Sequence, residues 1–226
     1  MILTASGLSK EFPRAGKSAN CFTAVYPADL ILRPGEMVEI TGRSGSGKST
    51  LLNMLAGMLT PTSGKVCLDE TDLYALDDDR LSRLRNEEIG LITQGHTALL
   101  SLTVLENVLL PSVLYRRDRL PCERAKDLLE KVGIASLMNA KPNELSGGEL
   151  RRMAVARSLL MNPSVILADE PTAGLDRENT EAVLQLLRRS ADDGTAVLFV
   201  THEHEAAQFA DRILTMDGGR FTEEQF

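Results

Sequence analysis

The chain has 226 residues, 43% of them hydrophobic and 25% charged, an ordinary globular balance that excludes intrinsic disorder and fibrous repeats. Its 25 basic residues stand against 32 acidic ones, a net charge of −7, which excludes a broad basic face for nucleic acid or anionic lipid and leaves any polyanion to a local device. Three scattered cysteines (Cys21, Cys67, Cys122), no apolar stretch long enough for a membrane span and no signal-like run at Met1–Ala5 point to a protein of the reducing cytosol.

In chain order, residues 21 to 41 read as β structure. Tyr26, Ala28, Leu30 and Leu32 alternate with solvent-tolerant positions, Pro34-Gly35 turns the chain, and Met37-Val38-Glu39-Ile40-Thr41 runs on as a strand. From Ser49 the spacing becomes helical, with Leu51, Leu52, Leu55 and Met58 on one face, and Pro61-Thr62-Ser63-Gly64 reads as a turn. Asp77-Asp78-Asp79 reads as a solvated helix start, where acids suit the dipole. Residues 95 to 160 read as mostly helical. Ala125, Leu128, Leu129 and Val132 share one face behind Pro121, Gly133 stops that helix, and another runs from near Gly148 to before Asn162-Pro163. Strand–helix alternation then returns: Val165–Ala168 as a strand buried on both faces, Val183, Leu186 and Leu187 on a helix, Ala196–Val200 as a second buried strand, and Ile213–Met216 before the Asp217-Gly218-Gly219 turn. Strands separated by helices imply an α/β fold with a mainly parallel sheet, and the central helical stretch reads as an inserted lobe.

Three motifs carry chemistry. Gly42-Arg43-Ser44-Gly45-Ser46-Gly47-Lys48-Ser49, followed by Thr50, fits the pattern G-x-x-x-x-G-K-[ST] between a strand and a helix. Glycines let backbone N–H groups curl around phosphates, the helix N-terminus adds positive potential, Lys48 meets the β- and γ-phosphates, and the Ser49 hydroxyl can ligate Mg²⁺. Asp169 and Glu170 end the strand that starts at Val165, at the sheet edge where ligands bind in open α/β folds. Asp169 suits the Mg²⁺ shell, and Glu170 can polarise a water as general base. Ser146-Gly147-Gly148, within Leu145–Glu149, opens a helix with a hydroxyl and unobstructed N–H groups, a second anion-binding helix end about 100 residues from the first.

Together these motifs resemble the ATP-binding cassette (ABC) ATPases over essentially the whole chain, with Ser146, Gly147 and Gly148 as the signature that contacts nucleotide held by the opposite subunit. The resemblance implies that Gln94 touches Mg²⁺ and the attacking water, that Asp176 communicates across a dimer, that His202 contacts the γ-phosphate, and that Phe12 stacks on adenine. It implies a P-loop core of residues 1–94 and 163–226 with an antiparallel β edge, and a helical lobe of residues 95–162. A head-to-tail dimer, with an identical copy favoured, would close on two MgATP molecules and drive separate integral membrane permease subunits. The chain would then sit peripherally on the cytoplasmic face of the membrane, with no nucleic acid as partner. The compact length and Leu102–Val108 followed by Pro111 resemble the lipoprotein-releasing, macrolide-exporter and cell-division group, although Ala173-Gly174-Leu175-Asp176 departs from that group's usual Gly-Asn-Leu-Asp. A cassette without a permease, of the iron–sulfur assembly type, is the competing reading. His96 reads as an exposed loop residue, and His202 and His204 lack the further ligands a metal site needs.

Overall fold

A computed structural model describes residues 1–13, 21–95, 97–114 and 120–225, so His96 lies outside the described residues. The chain begins with β1 (Leu3–Pro13), β2 (Cys21–Leu32), β3 (Met37–Thr41), α1 (Lys48–Leu55), β4 (Ser63–Leu68) and β5 (Thr71–Asp72). It continues with α2 (Asp78–Glu88), β6 (Ile89–Ile92), α3 (Val104–Leu114), α4 (Cys122–Lys131) and α5 (Gly147–Leu159). The last elements are β7 (Val165–Asp169), α6 (Arg177–Asp192), β8 (Ala196–Val200), β9 (Arg212–Asp217) and β10 (Arg220–Gln225).

Two sheets organise these elements. The larger has the order β10-β9-β3-β8-β7-β6 and is parallel except for β10. Every residue of β7 and β8 is buried, because apolar side chains on both faces of a parallel sheet are covered by helices. On one face, Leu51, Leu52, Met54 and Leu55 of α1 join Val38, Ile40, Leu167 and Leu198 in one core. On the other, Met37, Ile166, Ala168, Val197 and Phe199 join α3, α4, α5 and α6 through residues such as Val108, Leu129, Val155 and Val183. The smaller sheet, β2-β1-β4-β5, is antiparallel and shares the first core through Leu3, Leu8, Leu30 and Val66. The architecture is therefore an α/β P-loop core with a mainly parallel sheet and an antiparallel β edge.

The register of β7 on β8 pairs Asp169 with Val200, so both strands deliver their following residues to one edge of the sheet. That edge also receives the loop between β3 and α1. Ala125, Leu128, Leu129 and Val132 all bury, and Gly133 takes φ +70° to end α4 as its position suggests. Asp77 caps α2 by accepting from the Arg80 N–H at 2.8 Å. Two readings need correction. α1 stops at Leu55, Gly57 turns the chain at φ +65°, and Met58 is 57% exposed rather than on the buried face. Ser63-Gly64 opens β4 instead of closing a turn, since Ser63 pairs with Ser9 of β1.

Candidate functional site

The segment 42–47 leaves β3 and enters α1 with Gly42, Gly45 and Gly47 all at positive φ. Two of these glycines are also sterically required. A Cβ on Gly42 would stand 2.0 Å from the Met216 carbonyl oxygen, and one on Gly47 2.3 Å from that of Ala24. Ser46 is buried beneath the loop, and its carbonyl accepts from the Gly219 N–H at 2.9 Å. The Lys48 ammonium donates to the carbonyls of Gly42 at 2.7 Å and Arg43 at 2.9 Å, lying across the loop it follows. Burial lowers the Lys48 pKa, and the charges of Glu170 and Asp169 act against that shift.

Asp169 and Glu170 are each only 8% exposed. Glu170 adopts φ +54°, a region that costs a non-glycine residue roughly 1–3 kcal/mol and persists where surrounding structure enforces it. Here the enforcing contact is its N–H, which donates to the Val200 carbonyl at 2.9 Å. The twist brings Glu170 Oε1 to 3.1 Å from His202 Nε2. Burial pushes the Glu170 carboxyl up; His202 and Lys48 pull it down, and Asp169 adds to the rise. A carboxylate biased toward accepting a proton, beside an imidazole that orients it, is suited to general-base work.

A cavity of about 350 Å³ gathers these groups. Phe12, Ser44, Gly45, Gly47, Lys48, Ser49, Thr50, Gln94, Asp169, Glu170 and His202 all line it. Gly42, Arg43 and Ser46 shape the loop behind that lining. Phe12 is 36% exposed at the end of β1, with the Lys10 ammonium 5.3 Å from its ring centroid. Phe22 also lines the cavity and pairs with Phe12 across the β1–β2 register, an aromatic neighbour the sequence reading missed. Its signal was the hairpin register, which depends on bulges in β1.

Ser146 caps α5 in a capping box. Its hydroxyl accepts from the Glu149 N–H at 3.3 Å, and Glu149 Oε2 accepts from the Ser146 N–H at 2.7 Å. The Ser146 hydroxyl also donates to Glu149 Oε2 at 2.7 Å, and this bond, with that from the Ser146 N–H, holds the Glu149 carboxyl below its ordinary range. Asp176 is the N-cap of α6, its side chain accepting from the Asn179 N–H at 2.8 Å, which lowers its pKa. Ser146, Gly147, Gly148 and Asp176 line a second cavity of about 500 Å³. A Cβ on Gly148 would meet Leu175 Cδ2 at 3.1 Å, so the close approach of these two loops favours glycine. The two cavities share no lining residue. The structure therefore gathers the phosphate loop, the acid pair, Gln94, His202 and Phe12 in one place, and the signature with Asp176 in another.

Among the described residues no group of three or more His, Cys, Asp or Glu side chains could hold a metal ion by itself; the side chain of His204 lies outside them. The oxygen donors of Ser49, Gln94 and Asp169 do share the first cavity. Such a sparse, all-oxygen set fits a hard divalent cation that keeps waters and takes phosphate oxygens, as Mg²⁺ does.

A family model described as ABC transporter matches residues 25–173. The lipoprotein-releasing system ATP-binding protein LolD of Shewanella oneidensis is 42% identical over 221 residues, covering 97% of this chain and 95% of LolD. The macrolide export ATP-binding/permease protein MacB of a Shewanella species is 40% identical over 219 residues, 96% of this chain but 33% of MacB. The dimeric structure of MJ0796, a bacterial ABC transporter cassette, superposes with a TM-score of 0.93 at 36% identity, covering 99% of this chain and 97% of that one. A post-hydrolysis MJ0796 structure bound to ADP and Pi gives 0.92 at the same identity and coverage. The chain belongs to the ABC transporter family of ATPases, and the transporter reading is favoured over a cassette without a permease.

Proposed function

We propose that this ABC ATPase binds and hydrolyses MgATP between two head-to-tail copies and thereby drives a separate integral membrane permease from the cytoplasmic face of the membrane. The observation that carries the reading is the Glu170–His202 pair, 3.1 Å apart in the lining of the phosphate-loop cavity. Each residue has a part in it. The loop N–H groups and Lys48 hold the phosphates, Phe12 and Phe22 offer faces to the base, and Gln94 orients water on the γ side. Glu170 takes the proton of the attacking water while His202 fixes its orientation. Ser49, Gln94 and Asp169 would hold Mg²⁺, which supplies charge neutralisation on the β- and γ-phosphates.

The dimer follows from chemistry left incomplete in one chain. Ser146–Gly148 present a capped helix end suited to phosphate, yet their cavity is separate from the one holding Lys48. A second copy placed head to tail completes both sites, and both halves are present here, which favours identical subunits. The greater affinity of ATP for the closed dimer supplies the work. We divide the chain accordingly into a core of residues 1–94 and 163–226 and a helical lobe of residues 95–162. A third cavity, of about 270 Å³, lies between α2, α3 and α5 and is lined by Met58, Arg85, Asn86, Pro111, Leu114, Arg157 and Met161. With exposed Leu99 and Leu100 nearby in the chain, it suits an apolar cytoplasmic segment of the permease. No helix among the described residues is long and apolar enough to cross a membrane, so the span is assigned to the permease. LolD, whose name denotes lipoprotein release, and MacB, whose name includes permease, support export or mechanotransmission.

Glu170→Gln tests this. The amide keeps the shape but takes no proton, so hydrolysis should fall about 10²- to 10³-fold and an ATP-dependent dimer should persist in gel filtration. Turnover within threefold of the unsubstituted chain, or no dimer with MgATP, would overturn the reading.

A further inference from the structure

Arg151 lies one turn into α5 and is 5% exposed, an unusual place for an arginine. It lines the cavity of the signature, yet its guanidinium turns toward the segment that follows β6. One terminal nitrogen donates to the Thr93 carbonyl at 2.5 Å and the other to the Gln94 carbonyl at 2.7 Å. Two successive carbonyls on one planar fork is a geometry that lysine cannot reproduce. Further along the same helix, Arg157 donates to both the carbonyl and hydroxyl of Thr97. Thr93, Gln94 and Thr97 are thus each bonded to α5, while Thr93 Oγ1 donates to the Gly95 carbonyl at a longer 3.3 Å.

We propose that Arg151 is a positioning residue for ATP hydrolysis: its fork ties the backbone of Gln94 to the Ser146–Gly148 end of α5, so the glutamine and the signature move as one body. The inference rests on the proposed roles of Gln94 toward the γ-phosphate and of Ser146–Gly148 toward the partner's nucleotide. A local shift at one nucleotide is then transmitted, by two hydrogen bonds and a rigid helix turn, to the surface that meets the other. Arg151 is absent from the lining of the phosphate-loop cavity, and although it lines the signature cavity its guanidinium is taken up by the Thr93 and Gln94 carbonyls, so it acts through Gln94 and α5. Its charge also faces the acid pair, since Asp169 and Glu170 oppose the lowering of its pKa by burial. The experiment must therefore separate the fork from the charge.

Arg151→Met, Arg151→Lys and Arg151→Gln are prepared in the full chain, and kcat and KM for MgATP are measured beside nucleotide-free thermal unfolding. The fork predicts that Arg151→Met lowers kcat about 10- to 100-fold while KM stays within about threefold, because misplacement of one positioning contact reaches that size without touching phosphate binding. Arg151→Lys, which keeps the charge and most of the fold, should remain below about one fifth of the unsubstituted kcat. In a Glu170→Gln background, Arg151→Lys should raise the MgATP concentration for half-dimerisation about tenfold. Full recovery of kcat by lysine would assign the effect to charge and overturn the proposal, as would kcat within twofold for Arg151→Met. If Arg151→Met does not fold, Arg151→Lys decides alone. A chain that hydrolyses no ATP without substitution would instead sink the ATPase site, whereas normal turnover with silent Arg151 variants sinks only the fork.

Discussion

Glu39 provides the sharpest quantitative prediction. It sits in the middle of β3, paired in register with Phe199 of β8 and Ile213 of β9, and it shares a sheet face with Met37. It is 2% exposed, and its Oε2 has no hydrogen-bond partner. Burial alone raises its pKa from 4.5 to about 7. In the unfolded chain the same carboxyl ionises near its ordinary value, so between those two values the native state binds more protons. Stability from this group is therefore fully present below pH 4.5, declines as pH rises toward 7, and stays at the lower level above it. At about 1.36 kcal/mol per pH unit, the decline amounts to roughly 3 kcal/mol.

Glu39→Met removes the titration while keeping an unbranched chain of similar length. The stability of the variant relative to the unsubstituted chain should therefore be about 3 kcal/mol greater at pH 8 than below pH 4.5, a change that for a chain of this size corresponds to about 6–12 °C in Tm. Urea unfolding of both proteins at intervals from about pH 5.5 to about 8.5 isolates the effect, because every other titrating group is common to the two and cancels in the difference. The difference must shrink as pH falls. A flat difference across that range would show that Glu39 ionises normally in the fold and would refute the reasoning.

Other outcomes follow from single contacts. Phe12→Ala and Phe22→Ala should each raise KM for ATP about fivefold with kcat unchanged, since stacking on an exposed ring contributes about 1 kcal/mol to binding; steady-state kinetics reads the split. Gly47→Ala places a Cβ 2.3 Å from the Ala24 carbonyl at φ +103°, so nucleotide binding measured by calorimetry should weaken more than tenfold and Tm should fall. Leu114→Glu introduces a charge at a leucine that is 62% exposed in the α2–α3–α5 groove. It should reduce the permease recovered with the chain from detergent-solubilised membranes, and unchanged recovery would remove that groove from the interface.

What was legible in the sequence was local. The phosphate loop is eight consecutive residues whose strand and helix neighbours follow immediately, and β7 and β8 are apolar runs that need no partner to be recognised. β1 escaped because its alternation is broken. Its pairing with β2 shifts register between Ala5 and Leu8, where Gly7 takes φ +56°, and periodicity of two fails across such a bulge. β4 escaped with it. Gly64 can open that strand because its Cα comes so close to β1 that a Cβ would stand 2.4 Å from the Gly7 carbonyl, a relation between residues far apart in the chain. β10, after the Gly218-Gly219 turn, carries too few apolar residues to announce a strand and exists because β9 offers an edge.

The same distinction separates the two arginines after the signature. In sequence Arg151 and Arg152 are one basic pair, with nothing to tell them apart. On a helix they diverge by about 100°, and the structure uses that angle. Arg151 reaches back to the carbonyls of Thr93 and Gln94, while Arg152 donates to Asn179 Oδ1 at 2.8 Å and to the Val132 carbonyl at 3.1 Å. Asn179 in turn donates to Asp176, the cap of α6. The helix that opens with Ser146-Gly147-Gly148 is therefore bonded on one side to the segment of Gln94 and on the other to the residues around Asp176. Neither link is visible without the fold, because each joins residues separated by 27 or more positions. A signature held only by its own capping box could bind phosphate. Bonded on both sides, it can also be moved when a loop at the acid pair moves, and an ATPase that drives another protein requires that second property.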